Sequence, residues 1–323
     1  MNEVKLLRND SLIREKELGN GISSFNFSNK CFYDNLWNEE AIKARGLFVD
    51  VNHNKVVARS YNKFFNIGER PETEINNLRD NFAFPVRAYG KENGFLAMVS
   101  VDPHDANKLF VASKSTNKGN FAGYIREILN TMLTVTQQAE FADYLYKNNC
   151  TAVFECIDPV HDPHIVKYNR SMLVLLDLVG NFFNYSHADY QTLIDIAAYF
   201  NFPVKALYQT IDNWQEFENF IDLWSYSECL EGFVFEDANS FMVKYKTPWY
   251  KNWKLARGVL QQVWNGRDIH DIKDIYNKLS FYPTLIDIIP KYVIYVRNEL
   301  GYNACPSVIE FRDSYLKDVQ DGI

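Results

Sequence analysis

The pattern of apolar residues changes near residue 250, and this change limits the folds that the chain can adopt. Before that point, short apolar runs alternate with turn residues. Residues 47–51 and 55–59, for example, flank Asn52-His53-Asn54 and indicate a β-hairpin. After Trp249 the apolar residues follow helical spacing. We therefore predict an α+β domain of antiparallel strands over residues 1–250 and a small all-helical domain over residues 251–323.

The same patterns predict individual elements of the first domain. The first forty residues are polar and aromatic and show a turn at Gly19-Asn20-Gly21. Further strands are expected at residues 82–84, 95–101, 109–113, 151–157, 172–181, 204–207, 232–235 and 240–246. Helices are expected at residues 71–81, 191–200 and 214–226, and residues 125–146 have the pattern of one helix or a helix pair.

Charge, hydropathy and cysteine content exclude several classes of protein. The net charge of −7 over 323 residues argues against a sequence-independent nucleic-acid coat, although a local basic groove stays open. No window approaches the roughly 20 apolar residues of a membrane span, and the acid-containing N-terminus lacks the apolar core of a signal peptide. Five scattered cysteines without a Cys-x-x-Cys pair indicate reduced thiols. We expect a cytoplasmic protein without a membrane partner.

Lys91 lies in the most informative segment, Tyr89-Gly90-Lys91-Glu92-Asn93-Gly94-Phe95. The lysine is expected at the end of a loop, directly before an apolar strand, and Gly94 allows the backbone to approach a ligand closely. A lysine is nucleophilic only when neutral, which near pH 7 requires desolvation or cationic neighbours. On its own, this segment is far more typical of a surface turn.

Three further features follow Lys91 in order along the chain. Glu155 lies within the apolar run Val153-Phe154-Glu155-Cys156-Ile157, where a carboxylate needs a cation, a hydroxyl or a metal. Glu231-Gly232 precedes a second apolar run. Lys244 and Lys246 alternate along a strand, so both point to one face, where they can bind a phosphate. Each feature is weak by itself, but four of them in this order across one domain are a strong signal of a functional site.

These residues resemble those of the covalent nucleotidyltransferases, which comprise ATP-dependent ligases and capping enzymes. Upstream, Ala44-Arg45-Gly46-Leu47-Phe48 and Ala58-Arg59-Ser60-Tyr61-Asn62-Lys63-Phe64-Phe65-Asn66 resemble, more specifically, the RNA ligase 1 group of T-even phages. The resemblance extends over roughly residues 40–255 and fades on either side. It implies an ATP-grasp-like nucleotidyltransferase domain of antiparallel sheets with flanking helices.

The resemblance implies a covalent role for Lys91 and a supporting role for its neighbours. Lys91 matches the lysine that attacks the α-phosphate of ATP and becomes lysyl-AMP, and Gly94 matches the motif glycine. Asn93 stands where many members of the family carry Asp. Glu155 matches an acid that contacts the ribose or a metal-bound water, and Glu231 matches the acid associated with Mg²⁺.

The remaining implied roles concern the phosphates and the base. Lys244 and Lys246 match the pair that contacts the α-phosphate. Arg45 and Lys63 match the pair that holds the β- and γ-phosphates, with Phe65 packing nearby, and Lys114 matches a basic residue after the nucleophile strand. Three aromatic residues are candidates for stacking on adenine, namely Phe182, Phe183 and Tyr185.

The implied function is an ATP-dependent RNA ligase that joins 5′-phosphate and 3′-hydroxyl ends through lysyl-AMP and an adenylylated RNA end, in the repair of tRNA or other RNA. ATP and Mg²⁺ are the implied cofactors, with Mn²⁺ as a substitute for the metal. The rival readings are a DNA ligase, a GTP-dependent capping enzyme and a non-catalytic nucleotide- or RNA-binding protein. The first two usually carry a C-terminal β-barrel, whereas this C-terminal segment has a helical pattern.

Two other segments have more than one interpretation. His161-Asp162-Pro163-His164 offers metal-ligand types, but its proline favours a rigid turn. Residues 246–254 interleave lysines with Trp249, Tyr250 and Trp253. This pattern is typical of single-strand nucleic-acid binding, and equally of a domain junction with packed tryptophans.

Overall fold

The structure, a computed structural model, describes residues 2–320, apart from the side chains at positions 316 and 318–320. In chain order the strands are β1 (Ile13–Gly19), β2 (Ile22–Phe27), β3 (Leu47–Asp50), β4 (Lys55–Arg59), β5 (Phe65–Asn66), β6 (Val86–Lys91), β7 (Phe95–Asp102), β8 (Asp105–Ser113), β9 (Cys150–Ile157), β10 (Met172–Gly180), β11 (Leu207–Ile211), β12 (Gly232–Glu236) and β13 (Met242–Lys246). The helices are α1 (Glu3–Asn9), α2 (Asn29–Tyr33), α3 (Glu39–Lys43), α4 (Ile75–Asn81), α5 (Asn120–Met132), α6 (Val135–Lys147), α7 (Tyr190–Phe200), α8 (Trp214–Trp224), α9 (Pro248–Trp264), α10 (Ile275–Lys278), α11 (Leu285–Asn298) and α12 (Val308–Gln320), with 3₁₀ turns at Pro71–Thr73 and Ile269–Asp271.

Within residues 2–320 these strands form three sheets, in the orders β1-β2-β3-β4, β10-β9-β7-β8 and β11-β6-β12-β13-β5. The pairs whose register bears on the site, β7 with β9 and β12 with both β6 and β13, run antiparallel. The predicted α+β class with antiparallel sheets and flanking helices is confirmed. Residues 251–320 form helices without a strand, as predicted.

The chain divides into two compact units. Unit 1 consists of residues 2–65, 94–162 and 168–207, and unit 2 of residues 66–93, 163–167 and 208–320. The predicted boundary at residue 250 lies within unit 2 and stays a prediction.

The core of unit 1 lies between the β10-β9-β7-β8 sheet and helices α5, α6 and α7. Ile125 of α5, Phe141 of α6 and Leu193 of α7 are buried in one cluster with Phe154 of β9. The pattern over residues 125–146 is a helix pair, because Thr134 begins a new helix as the N-cap of α6 and forms a capping box with Gln137.

The core of unit 2 is rich in aromatic rings. Helices α4 and α8 cover the β11-β6-β12-β13-β5 sheet through a buried cluster, whose members include Leu78, Phe217, Phe220, Phe233 and Phe235. These side chains alternate on β12 and recur at helical spacing on α8, so each element buries one face. This packing fixes the ends of β6, β12 and β13.

Two predicted strands were wrong and several elements were missed. Residues 82–84 are not a strand; the strand is β6, which begins at Val86, after Pro85. The rings of Phe82 and Phe84 instead pack edge to face, and Pro85 has no N–H to donate to a neighbouring strand. Val204 makes only an isolated bridge to Leu175, and the strand starts at Leu207. The strands β1 and β2 in the first forty residues were not predicted.

None of the helices within residues 2–320 has the length and apolar character that crossing a membrane requires.

Candidate functional site

Lys91 is the last residue of β6, so its predicted position at the end of a loop was wrong. It pairs with Gly232 on β12, and Gly232 pairs with Lys246 on β13. The strand register therefore places Lys91 and Lys246 on either side of Gly232. Gly232 has a φ of +151°, and a Cβ at this position would overlap the carbonyl oxygen of Tyr245, so only glycine fits.

Glu231 joins the two lysines. Its side chain is only 3% exposed, and its Oε1 accepts hydrogen bonds from Lys91 Nζ at 3.1 Å and from Lys246 Nζ at 2.9 Å. Burial alone would raise the pKa of Glu231, but the two ammonium groups hold the pKa below its usual value. Glu231 is therefore a buried anion that holds both lysines in place.

Asn93 supports Glu231 from the other side. Its Nδ2 donates to Glu231 Oε2 at 2.6 Å and to the hydroxyl of Tyr250 at 3.3 Å, while its Oδ1 accepts from the backbone N–H of Val166 at 2.9 Å. Burial raises the pKa of Tyr250 to about 12, so the phenol stays protonated at neutral pH. Sequence reasoning identified Asn93 only as a departure from Asp and did not identify Tyr250 as a partner.

Replacing Asn93 with aspartate is expected to destabilise the protein by about 1–3 kcal/mol at pH 8, because two carboxylates would meet where an amide now donates. The repulsion raises the pKa of the pair above its unfolded value, so the folded variant gains protons as the pH falls. The loss in unfolding free energy should therefore be smaller at pH 5 than at pH 8. Denaturant unfolding at both pH values measures this effect. The exposed Asn277→Asp is the control, and an equal loss for both variants would contradict the role of Asn93.

Lys244 lies on the same strand as Lys246. It pairs with Val234 on β12, two residues before Lys246, so strand alternation puts both lysines on one face, as predicted. The backbone carbonyl of Lys244 accepts a hydrogen bond from the N–H of Ile67 at 3.0 Å, which ties this strand to the end of β5.

Within unit 1, Gly94 and Glu155 are in direct contact. The backbone N–H of Gly94 donates to Glu155 Oε1 at 2.9 Å, and β7 pairs with β9 so that Leu96 faces Glu155. A Cβ on Gly94 would overlap the carbonyl oxygen of Cys156. The motif glycine is thus required by close backbone approach between strands.

Gly94→Ala is expected to destabilise the protein by about 1–3 kcal/mol through this overlap. It should also weaken nucleotide-dependent activity, since the hydrogen bond that orients Glu155 would move. Thermal unfolding and an activity assay measure the two effects. Gly123→Ala is the matched control, because a Cβ on this helical glycine meets nothing within 4 Å. A Gly94→Ala protein as stable as Gly123→Ala would contradict the overlap.

Arg45 lies before β3 in unit 1. Its Nη1 donates to Ser60 Oγ at 3.1 Å, and Ser60 Oγ donates to the Arg45 carbonyl at 2.7 Å. Desolvation lowers the pKa of Arg45, while the negative charge of Glu155 opposes this shift. Because an arginine guanidinium stays protonated at physiological pH, Arg45 presents a cation in the same unit as Glu155.

Lys63 is held between aromatic rings in unit 1. Its Nζ lies 3.6 Å from the ring centroid of Phe65 and 5.0 Å from that of Trp37. The two rings meet edge to face at 5.1 Å. The predicted packing of Phe65 near Lys63 is confirmed, but Trp37 was missed because it is distant in sequence and lies in a segment without a recognisable motif.

Lys114 occupies a similar environment. Its Nζ lies 4.2 Å from the ring centroid of Phe27. Desolvation and the neighbouring cation of Arg45 lower the pKa of Lys114 to about 8. Within unit 1, the charge of Arg45 therefore interacts with that of Glu155 and with that of Lys114.

The three candidate adenine-stacking residues follow β10. Arg59 Nη1 donates to the carbonyls of Phe182 and Phe183 at 2.6 and 3.0 Å, which anchors this segment to β4. The guanidinium carbon of Arg59 lies 5.4 Å from the Tyr185 ring centroid. The choice among the three rings stays a prediction.

His161 has a local partner. Its Nδ1 lies 2.8 Å from Asp158 Oδ2, and its ring stacks on Tyr124 with centroids 4.2 Å apart. Among residues 2–320, no group of three or more His, Cys, Asp or Glu side chains is placed to hold a metal ion. These contacts favour the turn interpretation of residues 161–164.

A family model described as RNA ligase, of the T4 RNA ligase 1 type, matches residues 43–250, more than half of the 323 residues. The chain belongs to the RNA ligase family. The resemblance stated from the sequence is confirmed, and every predicted site residue of this RNA ligase family member, from Arg45 to Lys246, lies within the matched segment.

Comparisons with individual proteins agree with this family. The chain is 27% identical over 283 residues to a tRNA ligase of Candida albicans, an alignment that covers 73% of this chain and 33% of that protein. The chain spans about a third of the length of this tRNA ligase and of tRNA ligase 1 of Schizosaccharomyces pombe.

Solved structures show the same fold. An archaeal ATP-dependent RNA ligase has a TM-score of 0.58 at 12% identity, with 93% of this chain and 80% of that chain covered. A protein of Aquifex aeolicus assigned as an ATP-dependent DNA ligase has a TM-score of 0.54 at 13% identity, with 99% of this chain and 80% of that chain covered. Fold alone therefore does not separate RNA ligases from DNA ligases.

Proposed function

We propose that this chain is an ATP-dependent RNA ligase that joins 5′-phosphate and 3′-hydroxyl RNA ends through a lysyl-AMP on Lys91. The observation that carries this proposal is the buried Glu231 carboxylate between Lys91 and Lys246, at 3.1 and 2.9 Å, within a segment that matches the RNA ligase family. A buried anion at this position keeps two cations pre-positioned for a phosphate without solvent rearrangement.

Three displacements at phosphorus make up the reaction. Lys91 Nζ, after losing a proton, attacks the α-phosphorus of ATP, and the bond to pyrophosphate breaks. The RNA 5′-phosphate then attacks the lysyl-AMP phosphorus, which returns the electron pair to Lys91. Finally the RNA 3′-hydroxyl loses its proton and attacks the activated 5′-phosphate, and AMP leaves. Each step builds negative charge on phosphoryl oxygens, which fixed cations stabilise.

We assign phosphate binding to five cations, of which Lys114 is given no particular phosphate. Lys244 and Lys246 would contact the α-phosphate, and Arg45 and Lys63 the β- and γ-phosphates. The position of Lys63 against Phe65 and Trp37, and that of Lys114 against Phe27, support these assignments, since cation–π contacts restrict the positions of the ammonium groups. Glu155 would contact the ribose or a metal-bound water.

Mg²⁺, with Mn²⁺ as its substitute, fits the donor set as a metal held mainly by phosphate oxygens and water. Magnesium sites of this kind use one or two carboxylates. Glu231, and separately Glu155, are the carboxylates that we propose for contact with the metal, directly or through water. Bound there, the metal would neutralise charge on the triphosphate.

The biological substrate that we propose is broken tRNA or another RNA with matching ends. The tRNA ligase of Candida albicans supports this choice by its name, although the chain spans only a third of that protein. A cytoplasmic location stays a prediction.

Incubation with Mg²⁺ and α-labelled ATP, followed by denaturation, tests the first step, with α-labelled GTP alongside. We expect label on the protein from ATP alone. Matched single-stranded RNA and DNA substrates with the same ends then test the class of ligase, and we expect sealing of RNA at least tenfold faster. Label from GTP would indicate a capping enzyme, and faster DNA sealing a DNA ligase. No label, with an intact mass that excludes prior adenylylation, would favour a binding protein.

A further inference from the structure

The aromatic and the basic residues that follow β13 differ in their exposure along α9. Trp249 and Trp253 are buried, at 1% and 0% exposure, and the Trp253 ring packs on those of Tyr282 and Phe311 at 5.4 and 6.2 Å. The tryptophans are therefore packed within unit 2, and this packing was part of the domain-junction interpretation. They are not available to stack on bases.

Three cationic residues lie along the solvent-exposed part of α9, and Arg257 lies one turn after the buried Trp253. Lys251, Lys254 and Arg257 are exposed residues. Positions 250, 254 and 257 lie on one face of a helix with 3.6 residues per turn. Long side chains on a helix lean toward its N-terminus, so Lys254 and Arg257 extend back toward Tyr250. We call Lys251, Lys254 and Arg257 the α9 cationic face.

Within unit 2, the α9 cationic face lies next to Lys91, Lys246 and Glu231. Tyr250 begins the row and accepts the hydrogen bond from Asn93, and Lys246 Nζ lies 4.7 Å from the Tyr250 ring centroid. Desolvation lowers the pKa of Lys254, and so do the cations of Lys246, Arg257 and Lys91, against the opposing charge of Glu231. The charges of these residues are thus close enough to interact.

The cluster carries an excess of positive charge. Five cations, namely Lys91, Lys246, Lys251, Lys254 and Arg257, accompany one carboxylate, Glu231. Within the described part of the chain, Lys254 and Arg257 have no carboxylate within ion-pair distance. In a protein with a net charge of −7, uncompensated cations beside a phosphate-transfer site need an anionic partner.

We propose that the α9 cationic face binds backbone phosphates of the RNA strand that is being sealed. This inference rests on the proposed function and adds a site outside the matched segment, which ends at residue 250. Arginine and exposed lysines in a row provide contacts to successive phosphates without reading the bases. The triphosphate of ATP could also bind to these cations, so the test distinguishes binding of RNA phosphates from binding of ATP phosphates.

The test compares the wild type with Lys254→Ala/Arg257→Ala in two assays. The first is labelling of the protein by α-labelled ATP without RNA, and the second is sealing of pre-adenylylated RNA without ATP, measured over a range of salt concentrations. We expect KM for the adenylylated RNA to rise about tenfold and the slope of log KM against log salt to fall by about 1.4, for two lost phosphate contacts. The loss in labelling should be at least tenfold smaller.

Two further variants control for charge and for folding. Lys254→Arg/Arg257→Lys keeps both charges and should restore sealing. Lys291→Ala removes one exposed lysine from α11 in the same unit and should seal like the wild type. Circular dichroism melting checks that each variant folds.

The outcomes separate the possible ligands. A loss of labelling that equals or exceeds the loss of sealing would overturn the assignment to RNA and indicate binding of ATP phosphates. Wild-type sealing by the double variant would also overturn it, as would an equal defect in Lys291→Ala. Failure of the proposed function is a different result, because the wild type itself would then neither label with ATP nor seal RNA.

Discussion

Lys91→Ala is expected to lose ATP-dependent labelling completely and to slow overall joining by about 10³-fold or more, because no other group can take the place of a covalent nucleophile. Sealing of pre-adenylylated RNA should fall much less, since that substrate bypasses the first step. Labelling with α-labelled ATP and single-turnover sealing of both substrates measure the two effects.

Arg87→Ala is the control for Lys91→Ala. Arg87 lies on the same strand, β6, and is an exposed residue, so its loss tests general effects on this strand. Melting curves by circular dichroism verify the fold of both variants. Full joining by a folded Lys91→Ala protein would contradict the covalent role, as would loss of labelling by Arg87→Ala to the same extent.

Glu231→Gln should have the second-largest effect. Glutamine keeps the size of the side chain but removes the charge that holds Lys91 at 3.1 Å and Lys246 at 2.9 Å. We expect a reduction in labelling of about 10²–10³-fold, comparable to the loss of one pre-positioned electrostatic group in other enzymes. The rate of label incorporation at saturating ATP measures this effect.

The stability of Glu231→Gln should depend on pH in a defined direction. The pKa of Glu231 is depressed in the folded protein, so its contribution to stability is present above the unfolded pKa and is lost as the pH falls through the folded value. The difference in unfolding free energy between wild type and variant should therefore be largest near neutral pH and shrink below about pH 4.

Glu218→Gln is the control for Glu231→Gln. Glu218 forms an exposed ion pair with Arg79 at 3.1 Å, and exposed pairs contribute about 0–1 kcal/mol. Labelling by this variant should match the wild type. Wild-type labelling by Glu231→Gln, or a stability difference that grows as the pH falls, would contradict the role of the buried anion.

Sequence reasoning identified most of the local elements around the site. Turn residues and alternating apolar residues predicted the β3–β4 hairpin, and helical spacing predicted α7 and α8. It was wrong where neighbouring elements decide the conformation. Lys91 looked like a loop residue because its strand is short and interrupted by Gly90, but pairing with β12 extends that strand to Lys91.

Partners from distant parts of the chain could not be predicted in this way. Trp37 contacts the Lys63 ammonium, and the Asn93 amide reaches both Glu231 and the backbone of Val166. No periodicity or spacing connects such positions, because strand register and the packing of loops bring them together. The alternation of basic and aromatic residues after β13 likewise had two interpretations. The structure decides between them because the tryptophans of α9 are buried.

By itself, the sequence determined the α+β class with a helical C-terminal segment, the RNA ligase family, and the chemical types and order of the site residues. These properties depend on local periodicity and on short motifs, which are present in the linear chain. Tertiary structure alone decided that Glu231 is a buried anion between two lysines, that Asn93 must donate to it, and which side of α9 exposes its cations. These properties depend on burial and on distances between residues far apart in sequence, which only the folded chain defines.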